Sequence, residues 1–201
     1  MDASVLLPYI LPEVVGCSTP AALRATIDAA REFCRKTRAC WMEQQATIPQ
    51  SAITDGEATL DLTTPAGQQI YVPVQVQIDG RTVSAFPTPM LQKLRVGDIS
   101  YSLGEGTVTL GGLPNRDVSI SAVWALMPAQ TAGTIPDAVE PWIEAVASGA
   151  KWRLLATPQT RWFSPDNANF NEQLFRSGIN CARIEVNRRL YGPNIIARPW
   201  R

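Results

Sequence analysis

The segment IYVPVQVQIDG, residues 70–80 of a chain of 201, decides the fold class. Apolar residues alternate with glutamines along its second half, which is the two-residue period of a β-strand. The closing Asp79-Gly80 pair is typical of a tight hairpin turn. Pro73 lacks a backbone donor and is expected at a sheet edge or a bulge. The segment therefore predicts a strand followed by a hairpin turn.

The same period extends on both sides of this segment, from about Thr47 to Ala125. Glycine-rich segments at residues 104–106 and 111–115 are expected to be turns. About six or seven short antiparallel strands are expected in this region, which predicts a compact sandwich or a partly open barrel. Besides residues 70–78, the predicted strands are residues 59–62, 82–86, 99–103, 107–110 and 118–126.

A helical pattern precedes the β region. Ser18 or Thr19 can cap the helix, Pro20 suits its first turn, and the pattern ends near Ala39. Cys34 falls on the apolar face and is expected in the core rather than in a reactive site. The apolar face is predicted to hold Leu23, Ile27, Ala30, Cys34 and Thr37.

A second helix is predicted after the β region. Asp137 can cap it, Pro141 is tolerated near its first turn, and Thr157-Pro158 ends it. Its centre, ASGA at residues 147–150, is small enough to let another helix approach closely.

A third helix is predicted from the end of the loop at residues 161–166 to about Tyr191, before the stop signal Gly192-Pro193. Trp142, Trp152 and Trp162 are expected to anchor the helices or an interface. The apolar face of the third helix is predicted to hold Phe170, Leu174, Phe175, Gly178, Ile179, Ala182, Val186 and Leu190.

The predicted fold class is therefore α+β. We expect a small helical bundle of one N-terminal and two C-terminal helices, an inserted antiparallel β-sandwich or barrel lobe, and an extended C-terminal tail. The predicted divisions are residues 1–45 for an N-terminal arm and the first helix, 46–130 for the β lobe, 131–191 for the other two helices, and 192–201 for a docking tail.

Charge is unevenly distributed along a neutral chain. The totals are 18 Lys+Arg and 18 Asp+Glu, but residues 51–150 hold 4 basic and 10 acidic residues, a net of −6. Residues 151–201 hold 9 basic and 3 acidic residues, a net of +6. Such a dipolar chain favours head-to-tail contact between copies, or different partners at its two poles.

The composition excludes several kinds of site. The chain has no His, which excludes Ser-His and Cys-His nucleophile pairs and zinc sites with imidazole ligands. Cys17, Cys34, Cys40 and Cys181 show no paired spacing, which favours free thiols in a reducing compartment. The apolar run at residues 5–11 is too short to span a membrane. We therefore expect a soluble, cytoplasmically synthesised chain that is not an enzyme and has no catalytic residues, cofactor or metal site.

Two weaker patterns are better explained without a ligand. Asp55, Glu57 and Asp61 could bind a divalent cation, but they lack calcium-loop spacing and fit alternate residues of a strand with one wet face. The glycines at residues 104–106 and 111–112 precede no helical pattern, so hairpin turns explain them better than a phosphate-binding loop.

The basic C-terminal part could contact nucleic acid. Arginines lie along the third helix, and Trp162 and Phe163 could stack on bases. Glu172 and Glu185 interrupt that face, so direct nucleic-acid recognition is the less favoured interpretation.

The tail at residues 194–201, NIIARPWR, is apolar and basic but has no periodic element to join. It could fold back on its own domain. We favour an arm that orders on a neighbouring subunit or a different protein, because Gly192-Pro193 directs it away from the helix and its arginines suit an acidic acceptor. The residues predicted to bind a partner are Ile195, Ile196, Arg198, Trp200 and Arg201.

Several segments resemble the head-to-tail adaptor (connector) proteins of tailed bacteriophages. AAREFCRKTR at residues 29–38, followed by Trp41, resembles the opening helix of that family, and residues 76–80 resemble the end of its β segment. IEAVASGAKWRLL at residues 143–155 resembles its second helix. The plan is similar to that of podovirus tail tubular protein A and of long-tailed-phage adaptors. The next loop and helix of the chain also resemble those of the family, at Trp162, Pro165, Asn169, Phe175 and Arg183.

The resemblance implies a structural virion protein at the head-tail junction. Such proteins form a ring, commonly of twelve copies, that joins the portal to the tail or nozzle and continues the DNA channel. DNA would pass through without sequence-specific binding, and no membrane partner is implied. The C-terminal tail would dock on the portal. The alternatives are a nucleic-acid- or carbohydrate-binding module and a small cytosolic enzyme that uses Asp/Glu chemistry.

Overall fold

A computed structural model shows an α+β protein with two β-sheets and several helices. The structure describes residues 1–91, 94–104 and 106–191. The chain divides into two compact units. The helical unit comprises Met1–Cys40, Ala66–Gln69 and the chain from Leu126 onward, and the β unit comprises Trp41–Pro65 and Ile70–Ala125. The four divisions predicted from the sequence stay predictions.

The helices vary greatly in length. The α-helices are α1 (Leu7–Ile10), α2 (Thr19–Thr37), α3 (Thr88–Leu91), α4 (Ile143–Leu155) and α5 (Pro165–Tyr191). Short 3-10 helices cover Ala3–Leu6, Gln50–Ala52 and Asp137–Trp142. The strands are β1 (Trp41–Ile48), β2 (Ala58–Asp61), β3 (Gln68–Ile78), β4 (Arg81–Thr82), β5 (Ser84–Ala85), β6 (Ser100–Leu103), β7 (Thr107–Gly111) and β8 (Val118–Pro128).

The strands form two four-stranded sheets. Their orders are β1-β8-β3-β4 and β2-β7-β6-β5. The pairs β1–β8, β2–β7, β3–β4 and β6–β7 are antiparallel, whereas β5 and β6 run parallel. The expectation of purely antiparallel strands was therefore wrong at β5, which separates from β4 after Thr82 and crosses to the other sheet.

The strand β1 was not predicted. Its sequence, WMEQQATI, is too polar to stand out as a strand, yet its residues alternate between exposed and partly buried positions. Each residue from Trp41 to Ile48 pairs with a residue of β8. The pairing with a long apolar neighbour, rather than the composition of β1 itself, stabilises this strand.

The predicted hairpin turn at Asp79-Gly80 is confirmed. Both residues have positive φ, +48° and +76°, which suits a two-residue turn between twisted strands. The Asp79 carboxylate accepts hydrogen bonds from the backbone N–H and hydroxyl of Ser119 at 3.0 and 3.1 Å. It also pairs with the Arg116 guanidinium at 2.6 Å. Hydrogen bonds from Ser119, foremost the one from its backbone, lower the pKa of Asp79 against the opposing effect of burial.

A single apolar cluster draws on both sheets of the β unit. Trp124 and Ile78 contribute from one sheet, and Leu110 and Tyr101 from the other. The Trp124 indole N–H reaches the side-chain oxygen of Gln44 on β1 at 3.1 Å, so its polar atom is satisfied at the cluster's edge. The full set of buried members is Ile48, Ala58, Leu62, Val76, Ile78, Tyr101, Val108, Leu110, Leu113, Val118, Ile120, Ala122 and Trp124.

In the helical unit, α2, α4 and α5 pack against one another. The closest approach is between α4 and α5, where a Cβ on Gly149 would lie 2.7 Å from the Phe175 ring. A Cβ on Gly178 would lie 2.3 Å from the Cβ of Ala145. The small centre predicted for the second helix therefore does allow a close neighbour. Leu6 and Ile10 of the N-terminal segment are fully buried.

The bounds of the three predicted helices agree closely with the structure except at one place, and the short helices α1 and α3 were not predicted. Helix α2 begins after Ser18 and ends before Arg38, whose φ of +56° closes the helix in a left-handed cap. The second predicted helix begins instead with a 3-10 segment that contains Pro141, and regular α-helix starts only at Ile143. A proline at this position has no N–H to donate to a preceding turn, so α-helical pairing starts beyond it.

The apolar face predicted for α5 was wrong at two residues. Phe170 is 60% exposed and Leu174 is 43% exposed. The buried face instead contains Asn171 and Phe175, which lie about 100° around the helix from them. Buried positions then continue through Ile179, Ala182 and Val186 as predicted. The prediction for Leu190 falls on a side chain outside the described part.

Candidate protein-binding site

The five residues predicted to dock on a partner lie outside the described residues. Ile195, Ile196, Arg198, Trp200 and Arg201 all follow Tyr191, where the described chain ends. Their role therefore stays a prediction, and the candidate site is built from the helical unit itself.

A groove of about 650 Å³ opens on the helical unit. Its apolar walls come from Tyr9 of α1, Trp142 of the 3-10 segment and Leu174 of α5. Glu140 and Glu144 add carboxylates. Tyr9 is 47% exposed, so the wall that it forms is open to solvent. The lining residues are Tyr9, Glu140, Pro141, Trp142, Ile143, Glu144, Ala145, Ser148 and Leu174.

Packing against α2 holds the Trp142 wall of this groove in place. The Trp142 ring lies 6.2 Å from the buried Phe33 ring at a tilt of 39°. The Ser148 hydroxyl donates to the Glu144 carbonyl at 2.9 Å, so its polar atom is satisfied within α4. The 3-10 segment that precedes α4 carries Glu140 to the exposed rim. The groove is thus a preformed feature of the fold.

The groove carboxylates have no countercharge in the described part of the chain. Glu140 and Glu144 are both exposed and form no ion pair there. No Lys or Arg lines the groove within the described residues. The groove therefore combines apolar walls with unneutralised negative charge, which suits a cationic, apolar protein segment.

Helix α5 carries a second apolar face on its outside. Phe170, Leu174, Cys181 and Ile184 follow one another at helical spacing, and all are exposed. Ile184 is 55% exposed, and Arg188 lies on the same face one turn beyond it. We call these five residues the outer stripe. Leu174 belongs both to the outer stripe and to the groove, so the two surfaces meet at this residue.

An ionic cluster connects α2 with α4 behind these surfaces. The Arg153 guanidinium pairs with the Glu32 carboxylate, donates to the Gly149 carbonyl at 2.7 Å and lies 4.9 Å from the Trp152 ring centre. Lys36 also pairs with Glu32, at 2.5 Å. Burial of Glu32 opposes its ionisation, but Lys36 and Arg153 together lower the pKa of Glu32 below its usual range. The cluster fixes the helices without supplying a reactive group.

Two of the cysteines meet, which their spacing did not indicate. The Cys34 and Cys40 sulfurs lie 3.1 Å apart in the core, and all four cysteines are free thiols. The hydrogen bond with Cys40 and burial raise the pKa of the Cys34 thiol well above its usual range. A protonated, buried thiol is a poor nucleophile, which agrees with the predicted core role of Cys34.

The acidic residues and the glycines that the sequence offered as weaker ligand sites lie in the β unit. No group of three or more Cys, Asp or Glu side chains within the described ranges could hold a metal ion, and this includes Asp55, Glu57 and Asp61. Gly112 has φ +76°, and a Cβ there would lie 2.5 Å from the Asp98 carbonyl oxygen. The glycine pair thus allows a tight chain approach after β7, as a turn requires.

The basic face of α5 is partly neutralised. Arg176 pairs with Glu172 at 2.5 Å, and Arg189 pairs with Glu185. Arg183 and Arg188 are exposed and form no ion pair in the described part of the helix. The positive charge that remains is concentrated around Ile184 rather than spread along the helix.

The chain matches no profile of a known protein family, and no curated protein sequence is significantly similar to it. Among the described residues, no helix combines the length and hydropathy needed to cross a bilayer.

The sequence did not reveal the groove or the outer stripe. The groove joins residues of α1, the 3-10 segment, α4 and α5, which are far apart in the chain. The stripe was hidden because Phe170 and Leu174 were assigned to the buried face of α5. The angular position of each residue around the helix could have separated the buried from the exposed apolar residues. The buried face contains Ala168, Asn171, Phe175 and Ile179, and it includes a polar residue, Asn171.

Proposed function

We propose that this chain is a structural virion protein: a ring-forming adaptor that joins the portal of a tailed phage to its tail and continues the DNA channel. In this proposal α2, α4 and α5 form a small bundle, the β unit is an inserted sandwich or barrel lobe, and residues 192–201 are an extended docking tail. Its partners are other copies in a ring of twelve, the portal and a tail or nozzle protein. It is not an enzyme and needs no cofactor.

The observation that carries the proposal is the exposed apolar surface of the groove and of the outer stripe, which share Leu174. Exposed apolar patches on one face of a helix, bordered by polar residues, are typical of protein–protein interfaces. The resemblance of residues 29–38 and 143–155 to phage adaptors adds the kind of assembly. Ring symmetry multiplies a modest contact, so several weak surfaces on each copy give strong overall binding.

The tail supplies the second support. Ile195, Ile196 and Trp200 offer apolar anchors, and Arg198 and Arg201 offer positive charge. Segments of this composition bind by ordering on a partner, with the apolar anchors contributing most of the binding free energy.

Portal binding by a tail-deletion variant tests the proposal. Removal of residues 194–201 is expected to abolish co-sedimentation with the purified portal of the same phage. A matched variant with Ile195, Ile196 and Trp200 changed to Ser keeps the tail length and charge and is expected to weaken binding strongly. Undiminished binding of both variants would eliminate portal docking by the tail.

The nucleic-acid-binding alternative has a separate signature. Its affinity would fall steeply as salt concentration rises, with a slope set by the number of phosphates contacted. The pairing of Arg176 with Glu172 and of Arg189 with Glu185 makes this alternative less favoured.

A further inference from the structure

We propose that the groove binds the Ile184 end of the outer stripe of a second copy of this chain. This is the lateral contact within the ring, and to that extent it rests on the proposed function. It assigns the two surfaces to each other: the groove of one copy receives Ile184, Arg183 and Arg188 of the next.

The charges of the two surfaces are complementary. Glu140 and Glu144 lie at the groove and are unpaired within the described chain. Arg183 and Arg188 flank Ile184 and are likewise unpaired in the described part. Contact between the surfaces would therefore neutralise two carboxylates with two guanidinium groups, and arginine is well suited to bind carboxylates in this way.

The apolar parts also match in kind. An exposed Ile184 on a helix is a compact aliphatic anchor, and the groove offers the aromatic rings of Tyr9 and Trp142 with Leu174. Burial of one such side chain removes apolar surface from water and so favours the contact. The Trp142 wall of the groove is already fixed by packing on Phe33, so little ordering cost falls on that side.

The arrangement favours a head-to-tail contact over a symmetric pair. Two grooves brought together would place four carboxylates in one contact, and two Ile184 ends would place four arginines there, both of which are unfavourable. Leu174 and Ile184 are ten residues apart on α5, about 15 Å along the helix, so each copy presents two separate contact regions. A contact between different surfaces leaves one groove and one Ile184 end free on every pair, so further copies can add. Such a contact builds a ring when the rotation from one copy to the next closes.

Thiol cross-linking tests the contact in the full-length chain. Pro141→Cys places a thiol in the groove and keeps both carboxylates, while native Cys181 lies in the outer stripe. In a Cys17→Ser background, a short bismaleimide is expected to give a ladder of dimers, trimers and larger species on a denaturing gel. The ladder should appear with the free chain at high concentration and more strongly with the portal. Addition of Cys181→Ser is expected to remove the ladder.

Charge reversal provides the matched control. Glu140→Arg with Glu144→Arg, and separately Arg183→Glu with Arg188→Glu, should each reduce cross-linking at least tenfold, and the fourfold variant should restore it. Arg161→Glu, an exposed arginine in the loop before α5, should leave it unchanged. An equimolar mixture of the two defective double variants is expected to recover assembly in sedimentation velocity, with the two variants alternating, because each groove then meets an oppositely charged α5 end of the other variant.

The outcomes separate this inference from the proposed function. No ladder with or without the portal, or no restoration by the fourfold variant, overturns the inference even if the chain binds the portal. Loss of the ladder on deletion of residues 194–201 overturns it as well, because the tail would then be the occupant of the groove. A ladder that forms and responds to charge reversal in a chain that never binds the portal supports the contact and refutes the proposed function.

Discussion

The β unit and the helical unit place their large apolar side chains differently. In the β unit they meet in one cluster that includes Trp124, and its exposed apolar residues, such as Phe86 and Val96, lie on separate segments. In the helical unit, Phe170, Leu174 and Ile184 share one outer face of α5. The difference indicates that the β unit draws its stability from its own core, whereas α5 buries one face in its own unit and leaves the other exposed. We propose that this exposed face binds a partner.

The largest expected effect comes from opening the β-unit core. Trp124→Ala removes a fully buried side chain and its hydrogen bond to Gln44. We expect the free energy of unfolding to fall by about 3–5 kcal/mol, as for other large-to-small core substitutions. Urea unfolding followed by circular dichroism measures it. A loss below about 1 kcal/mol would contradict a self-contained core.

An intermediate effect is expected where α4 and α5 approach most closely. Gly178→Ala would bring two Cβ atoms to 2.3 Å, so overpacking should exceed the gain in helix propensity and cost about 1–3 kcal/mol. Ala145→Gly in the same chain removes the opposing Cβ and is expected to recover most of the loss. Gly133→Ala, where a Cβ meets nothing within 4 Å, serves as the control. Equal losses for Gly178→Ala and its double variant would refute the contact.

A smaller effect is expected from the ionic cluster, and it depends on pH. The folded-state pKa of Glu32 lies below its unfolded value of about 4.3, so the ionised carboxylate stabilises the fold above that pH. This contribution is lost as the pH falls from about 5 through the folded-state pKa. Glu32→Gln should cost about 1 kcal/mol at pH 7 and show a shallower decline toward pH 3. If the free energy of unfolding fell equally toward pH 3 in both proteins, the ionised Glu32 would not stabilise the fold.

The smallest effect on folding is expected on the outer stripe. Ile184→Ser changes an exposed side chain, so the free energy of unfolding should change by less than about 0.5 kcal/mol. The same substitution should strongly weaken contact between copies, as measured by the cross-linking described above. A large loss of stability with unchanged cross-linking would show that Ile184 supports the fold rather than the contact between copies.

The sequence predicted those elements whose signals are local. The Asp79-Gly80 turn, the start of α2 at Thr19 and the long α5 follow from turn residues, a proline in the first turn and helical spacing. Strand β1 was not predicted because its stability comes from pairing with β8, which lies about 80 residues away. The parallel pairing of β5 likewise depends on a crossover that no local pattern specifies.

Prediction of the site was limited for the same reason. Tyr9, Glu144 and Leu174 form one groove only after α1, α4 and α5 have packed, and their spacing in the chain carries no sign of it. The meeting of Cys34 with Cys40 depends on the left-handed cap at Arg38, which turns the chain back toward α2. The tail residues, from Ile195 to Arg201, were proposed from composition alone and stay a prediction.

Electron cryo-microscopy of the chain mixed with the portal of the same phage tests the central claim most directly. The account predicts a closed ring of this chain under the portal, with residues 194–201 ordered against portal density and α5 of each copy at the groove of its neighbour. A single copy with those residues held against its own helices, and no ring under any condition, would contradict it.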